Sequence, residues 1–205
     1  MSAVMIVNSG VCNLDSIRRA VEECGGKPTV TDDPRDLERA DRVILPGVGS
    51  FGAAMKAMNE KGLAAGLRHL LSKREVPFLG ICLGMQLMAT HSEEFGMTQG
   101  LNLIPGAIVP LKSADSEDRI PHIGWNQTSP RKASPLWRDV NQGTDFYFVH
   151  SYCYDCADAD DVLATTPSYG GFVAAIQRGH LMGVQFHPEK SQRAGFRLLR
   201  NFLAL

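Results

Sequence analysis

The stretch Pro77-Phe78-Leu79-Gly80-Ile81-Cys82-Leu83-Gly84-Met85-Gln86 (PFLGICLGMQ) sets a lone cysteine between two glycines. An apolar run of strand type leads into it and a helical pattern follows. The spacing is therefore glycine-x-nucleophile-x-glycine in a strand–turn–helix setting. Such a turn strains the backbone of its central residue, and side chains two positions to either side would collide, so glycine is needed at 80 and 84. The turn leaves Cys82 at a helix N-terminus, where unpaired N–H groups favour the thiolate. The N–H of Leu83 is then placed to stabilise an oxyanion. A cysteine that merely fills a core needs none of this framing.

On either side of the turn, short apolar runs alternate with helical patterns. Strands are predicted over Val4–Val7, Arg42–Leu45 and Phe78–Ile81, and helices over Leu14–Glu23, Ala53–Met58, Leu63–Leu71 and, from the elbow, Leu83–Ala89. This rhythm implies an α/β fold, with a mainly parallel central sheet flanked by helices. After about Gly100 the pattern changes to strand-like runs at Ala107–Leu111, Phe146–Tyr152, Phe172–Gln177 and Leu181–Phe186, with a last helix over Ala194–Leu203. These read as antiparallel strands added to the same sheet, so one domain is expected over residues 1–205. Ala114–Arg119 and Ala157–Asp161 read as polar loops.

Composition is that of an ordinary globular chain: 205 residues, 44% hydrophobic and 21% charged. A net charge of −1 argues against a general nucleic-acid or membrane-surface role. No apolar run reaches the ~18 residues that span a bilayer. The opening MSAVMIVNSG lacks the basic and long apolar regions of a signal peptide, so a cytoplasmic protein is expected. The five cysteines, Cys12, Cys24, Cys82, Cys153 and Cys156, do not form a disulfide pattern.

A cysteine nucleophile needs a base, and the base an orienting group. His187 ends a strand-like run in GVQFHPEKS, two residues before Glu189. In an extended segment residues i and i+2 share a face, and Pro188 holds His187 extended, so the carboxylate can reach the imidazole. His91 also has an acid two residues on, Glu93, but a continuing elbow helix would carry it too far from Cys82. The remaining histidines have no acid at that spacing.

Two motifs invite other readings. Gly47-Val48-Gly49-Ser50-Phe51-Gly52 is literally G-x-G-x-x-G, yet no acid closes the next strand as dinucleotide binding requires. The loop serves better as a second source of oxyanion N–H groups, from Val48 and Gly49. Cys153-Tyr154-Asp155-Cys156 lacks two further ligands for zinc and does not open a helix as a redox motif would, so it reads as incidental. No metal or cofactor is implied.

Taken in order, PGVGSFG, GICLGMQ, PHIGWN (Pro121–Asn126), YFVHSY (Tyr147–Tyr152) and GVQFHPEKS resemble the class I, or triad, glutamine amidotransferases from the first strand to the last helix. Within that class the set is most similar to the glutaminase subunits of imidazole glycerol phosphate synthases, of histidine biosynthesis. The turn after the first strand departs from the usual Asp-Tyr-Gly-x-Gly-Asn type, being Asn8-Ser9-Gly10-Val11-Cys12-Asn13.

The resemblance implies a flavodoxin-like fold and a Cys82–His187–Glu189 triad. That triad would hydrolyse L-glutamine to glutamate and ammonia through a thioester, with Ser151 and Tyr152 bordering the substrate. Gln86, at i+4 from Cys82 on the same helical face, is a further candidate contact. The ammonia must reach an acceptor site that 205 residues leave no room for, so a partner subunit is expected, which in this family is a (β/α)8-barrel cyclase. Active sites in such folds lie beyond the carboxyl ends of the strands, so the partner docks over that edge. Trp125 and Asn126, read as part of an IGWN turn, Tyr147 by resemblance, and Lys190 are the expected contacts, with Trp125 the aromatic anchor unless it is core. Two other readings stay open. One is a triad glutaminase serving pyridoxal phosphate, anthranilate or aminodeoxychorismate synthesis. The other is a non-catalytic regulatory module of the same fold.

Overall fold

The computed structural model describes residues 3–10, 13–113 and 119–205. Cys12, part of the turn after the first strand, and all of the Ala114–Arg119 loop except Arg119 lie outside them. The elements run β1 (Ala3–Val7), α1 (Leu14–Glu23), β2 (Lys27–Thr31), β3 (Arg42–Gly47), α2 (Phe51–Glu60), α3 (Leu63–Lys73), β4 (Phe78–Cys82) and α4 (Leu83–Gln86). Then follow β5 (His91–Ser92), β6 (Thr98–Gln99), β7 (Gly106–Pro110), β8 (His122–Pro130), β9 (Thr144–His150) and β10 (Tyr152–Cys156). The chain ends with β11 (Val162–Thr166), β12 (Phe172–Arg178), β13 (Leu181–Val184) and α5 (Gln192–Leu203).

A nine-stranded sheet has the order β2-β1-β3-β4-β13-β12-β11-β8-β9. Its first five strands are parallel neighbours, and from β13 to β9 each pairing is antiparallel. β3 and β1 are covered on both faces, which explains their unbroken apolar runs. Met5, Val7, Val43 and Leu45 pack with α2 and α3, whereas Val4, Ile6 and Ile44 pack with α1 and α5.

Several expectations are corrected. The run Ala107–Leu111 does not join the main sheet, because β7 belongs to a separate four-stranded sheet ordered β10-β7-β5-β6. The run Phe146–Tyr152 is two strands: β9 stops at His150, Ser151 breaks the ladder, and β10 crosses to the small sheet. Cys153 and Cys156 therefore lie inside a strand. The elbow helix lasts one turn, to Gln86, since the chain must then bend to supply β5. IGWN is not a turn but part of the nine-residue β8. β2 and β8 carry too much polar sequence to read as strands, and β11 (VLATT) is a further strand not expected from the sequence. β2 lies at the sheet's edge, and β8 buries His122 and Thr128 while exposing Ile123 and Trp125.

Candidate active site

Cys82 sits in the left-handed region at φ 54° and ψ −113°. For a non-glycine residue this costs roughly 1–3 kcal/mol and persists only where the surroundings enforce it. They do: a Cβ on Gly84 would lie 1.7 Å from the Leu45 carbonyl oxygen, and one on Gly80 would lie 2.7 Å from the Gly84 carbonyl oxygen. The two glycines thus let the turn close on itself and on β3. The β3–β4 register sets Gly47 directly opposite Cys82, so the loop that follows, with Gly49 at φ 90°, passes beside the sulfur.

His187 follows β13, the strand that pairs in parallel with β4 and ends level with it. Its Nδ1–H donates to Glu189 Oε1 at 2.8 Å, and both side chains are buried. The i, i+2 contact is made through a 3-10 turn over Pro188–Lys190 rather than along an extended segment, with His187 itself extended. Cys82 lies within electrostatic reach of the ring. Burial alone would push the imidazole down, but hydrogen bonds to Cys82 and Glu189 and their negative charge outweigh it and hold His187 up to about 10. The arrangement therefore favours the protonated imidazole beside Cys82.

Two supports of this turn carry no sequence motif. The Ser191 hydroxyl donates to the His187 carbonyl at 2.6 Å and accepts from the Tyr147 N–H at 3.0 Å, pinning the turn to β9. Gly195 lets α5 press against the turn, because a Cβ there would lie 1.8 Å from the Pro188 carbonyl oxygen.

A cavity of about 440 Å³ opens over the cysteine. Val48, Gly49, Cys82, Leu83, Gln86, Ser151, Tyr152, His187 and Lys190 all line it. Glu189 lies behind His187. Five further lining residues were not singled out from the sequence as site residues: Glu94, Phe95, Pro121, Val149 and His150. Glu94 also accepts the Phe51 N–H at 2.5 Å, capping α2 at the end of the glycine loop. Neither it nor Phe95 has a local pattern that would flag it. His91 is excluded for a different reason than helix length, since it is drawn into β5 and pairs with β6 and β7.

Beyond the cavity rim, β8 and β9 turn an apolar face outward. Trp125 is 45% exposed and Ile123 61%. Trp125 packs edge-on against its cross-strand partner Tyr147 at 5.8 Å, and the Lys190 ammonium lies 5.9 Å above the Tyr147 ring. Trp125 is therefore not core. Asn126 points to the opposite face, where its side chain bonds His122 and Ser168, both at 2.6 Å. There a buried chain continues: His122 Nδ1 to His150 Nε2 at 3.1 Å, and His150 Nδ1 to the Tyr152 carbonyl at 2.8 Å.

Among the described residues, no group of three or more histidine, cysteine or acidic side chains could hold a metal ion, and no helix is long and apolar enough to cross a membrane.

Comparison with known proteins places these features in context. Residues 5–205 match the family profile described as Glutamine amidotransferase class-I. The chain is 46% identical over 203 residues to "Imidazole glycerol phosphate synthase subunit HisH" of Moorella thermoacetica, covering 98% of this chain and 94% of that one. It is 44% identical to the protein of the same name from Syntrophotalea carbinolica, covering 97% and 98%. A structure described as "Crystal structure of glutamine amidotransferase" superposes with a TM-score of 0.77 at 17% identity, over 98% of this chain and 97% of that one. "Structure of PurLQS from Thermotoga maritima" does so with a TM-score of 0.74 at 20% identity, over 100% and 99%. At that identity the likeness speaks for the fold.

Proposed function

This chain belongs to the class I glutamine amidotransferase family, and on that footing we propose that it is the glutaminase subunit of an imidazole glycerol phosphate synthase. It hydrolyses L-glutamine to glutamate and ammonia through a cysteinyl thioester. The ammonia passes to a (β/α)8-barrel cyclase with which this chain, acting as one domain, forms a cytoplasmic heterodimer.

The observation that supports the chemistry is the His187–Glu189 hydrogen bond at 2.8 Å, with His187 and Cys82 lining one cavity. Cys82 attacks the amide carbon, and the charge that develops on the amide oxygen is met by the Leu83 N–H and by the loop at Val48 and Gly49. His187 gives its proton to the departing ammonia, then takes one from the water that cleaves the thioester. Glu189 fixes the imidazole tautomer and balances its charge. Gln86, Ser151 and Tyr152 border the substrate. Glu94 brings a carboxylate to the cavity lining, the counterpart that the α-ammonium of glutamine requires.

What supports a partner here is the exposed Trp125 and Lys190, with the half-buried Tyr147 between them, beside the cavity mouth. Apolar residues outward and polar ones inward on β8 is the reverse of a solvent-facing strand and suits an interface. Lys190, exposed next to the site, would pair with an acid of the cyclase.

The test uses the protein with its cyclase. A glutamine-analogue electrophile should label Cys82 and abolish glutamine-dependent turnover. Cys82→Ala should lose glutaminase activity while the complex still works with added ammonium salt. Labelling of Cys153 or Cys156 with loss of activity would overturn the assignment. Full activity with a synthase of pyridoxal phosphate, anthranilate or aminodeoxychorismate formation, and none with the cyclase, would overturn the partner.

A further inference from the structure

Gln185 has no place in the chemistry described so far, yet it is fully buried, follows β13 directly and reaches the nucleophile. Its side chain ends a series of amides whose orientation is set by a group that can only accept. The Tyr152 carbonyl receives a bond from Gln86 at 3.0 Å, so the Gln86 atom there is Nε2. That nitrogen's second hydrogen meets Gln185 at 3.0 Å, so the Gln185 atom there is Oε1. The remaining Gln185 nitrogen, Nε2, must then be the atom 3.7 Å from Cys82 Sγ. The Tyr152 carbonyl is itself held by His150 Nδ1–H at 2.8 Å, so the start of the series is fixed from two sides.

The surroundings of the sulfur make this donor matter. On another side Sγ lies 3.6 Å from the Val149 carbonyl oxygen. A thiol can donate to that oxygen, but a thiolate meets only its lone pairs. A second donor besides His187 offsets that repulsion.

We propose that Gln185 is a catalytic residue whose side-chain N–H carries part of the negative charge on Cys82 Sγ, an inference that rests on the glutaminase reading. The charge is present twice in each cycle. It is there before attack, and it returns when the thioester is cleaved. In that step the water oxygen bonds to the acyl carbon and its proton passes to His187. The carbon–sulfur bond breaks and its electron pair settles on Sγ, between the imidazolium and the Gln185 N–H. Gln86 acts through Gln185 as a positioning residue, because it keeps the nitrogen end of that amide toward the sulfur.

The experiment compares wild type with Gln185→Met and Gln185→Glu, each checked for a cooperative thermal transition. Two readouts need no substrate: the rate at which iodoacetamide alkylates Cys82, followed by mass spectrometry, and the ultraviolet thiolate absorbance relative to Cys82→Ala. A third is glutamine turnover in the complex with the cyclase. A hydrogen bond to a charged group predicts about 10- to 100-fold slower alkylation in Gln185→Met, with lower thiolate absorbance. It also predicts a fall of about that size in kcat, while KM stays within about twofold. Gln185→Glu, which keeps the side chain's shape and an acceptor for Gln86 but loses the N–H, should fall at least as far. If Gln185→Met does not fold, Gln185→Glu decides by the same readouts. Alkylation and absorbance at wild-type levels in a folded variant overturn the proposal. A wild-type complex that fails to hydrolyse glutamine, while Cys82 alkylation still depends on Gln185, would overturn the glutaminase reading instead.

Discussion

His150 should make the protein acid-sensitive by a calculable amount. Burial holds this imidazole down to about 3, opposed in part by its hydrogen bond to the Tyr152 carbonyl. In the unfolded chain it returns to ~6.5. Between those values the unfolded chain binds a proton that the folded protein refuses, so stability falls as pH falls below about 6.5 and is untouched by this group above it. Each pH unit costs about 1.4 kcal/mol, so moving from about pH 6.5 to about pH 5 removes about 2 kcal/mol. His187 titrates in the opposite sense, but both proteins in the assay below carry it, so it cancels in their difference. What it contributes is complete below its unfolded value and is lost as pH rises through its folded value of about 10.

The assay is equilibrium urea unfolding of wild type and His150→Asn at about pH 7.5 and about pH 5. Asparagine keeps an N–H for the Tyr152 carbonyl but does not titrate. Whatever the variant costs at the higher pH, its deficit should shrink by about 2 kcal/mol at the lower one. That corresponds to a relative change in Tm of about 4–8 °C for a chain of this size. If the two proteins lose stability in parallel, His150 takes up its proton in the folded state without penalty. The reasoning from burial would then be wrong.

Three other outcomes follow from the geometry. His187→Ala should lose about 10²–10⁴-fold in glutamine turnover, and Glu189→Gln distinctly less, since the imidazole can still move protons; equal losses in steady-state kinetics would reverse these roles. Gly84→Ala forces a methyl into the Leu45 carbonyl and should cost about 3 kcal/mol or more in a denaturant melt, with activity lost in whatever fraction folds. Trp125→Ala and Lys190→Ala change exposed side chains and should leave thermal stability close to wild type while weakening cyclase binding or stimulation. Both variants binding and responding normally would move the interface elsewhere.

The first half of the chain is nearly transparent in sequence, because strands covered on both faces write their burial as unbroken apolar runs such as VMIV and VILPG. The elbow is equally plain, since two backbone approaches too close for any Cβ leave glycine no substitute. The second half is obscured by β8, which reads HIGWNQTSP and inverts the usual rule. Its inward side chains bond one another, and its outward Ile123 and Trp125 are exposed. Period-2 alternation is present, but with apolar side chains outward and polar ones inward. Glu94, Gln185 and Ser191 could not be read from local spacing, because each owes its importance to a contact made across the fold.

The position of β13 between β4 and β12 has a consequence for how the protein comes into being. Until residues 181–203 have been made, β4 is the bare edge of a half-sheet, and the sulfur at its tip has neither base nor acid beside it. The early strands and helices can collapse by themselves, but the long-range pairing that completes the site waits for the C-terminal strand, turn and helix to arrive. A nascent or C-terminally clipped chain would lack His187 and Glu189 beside Cys82, together with the core residues of β13 and α5. Reactivity is the last property this polypeptide acquires and, if the seam between β4 and β13 opens, the first that it gives up.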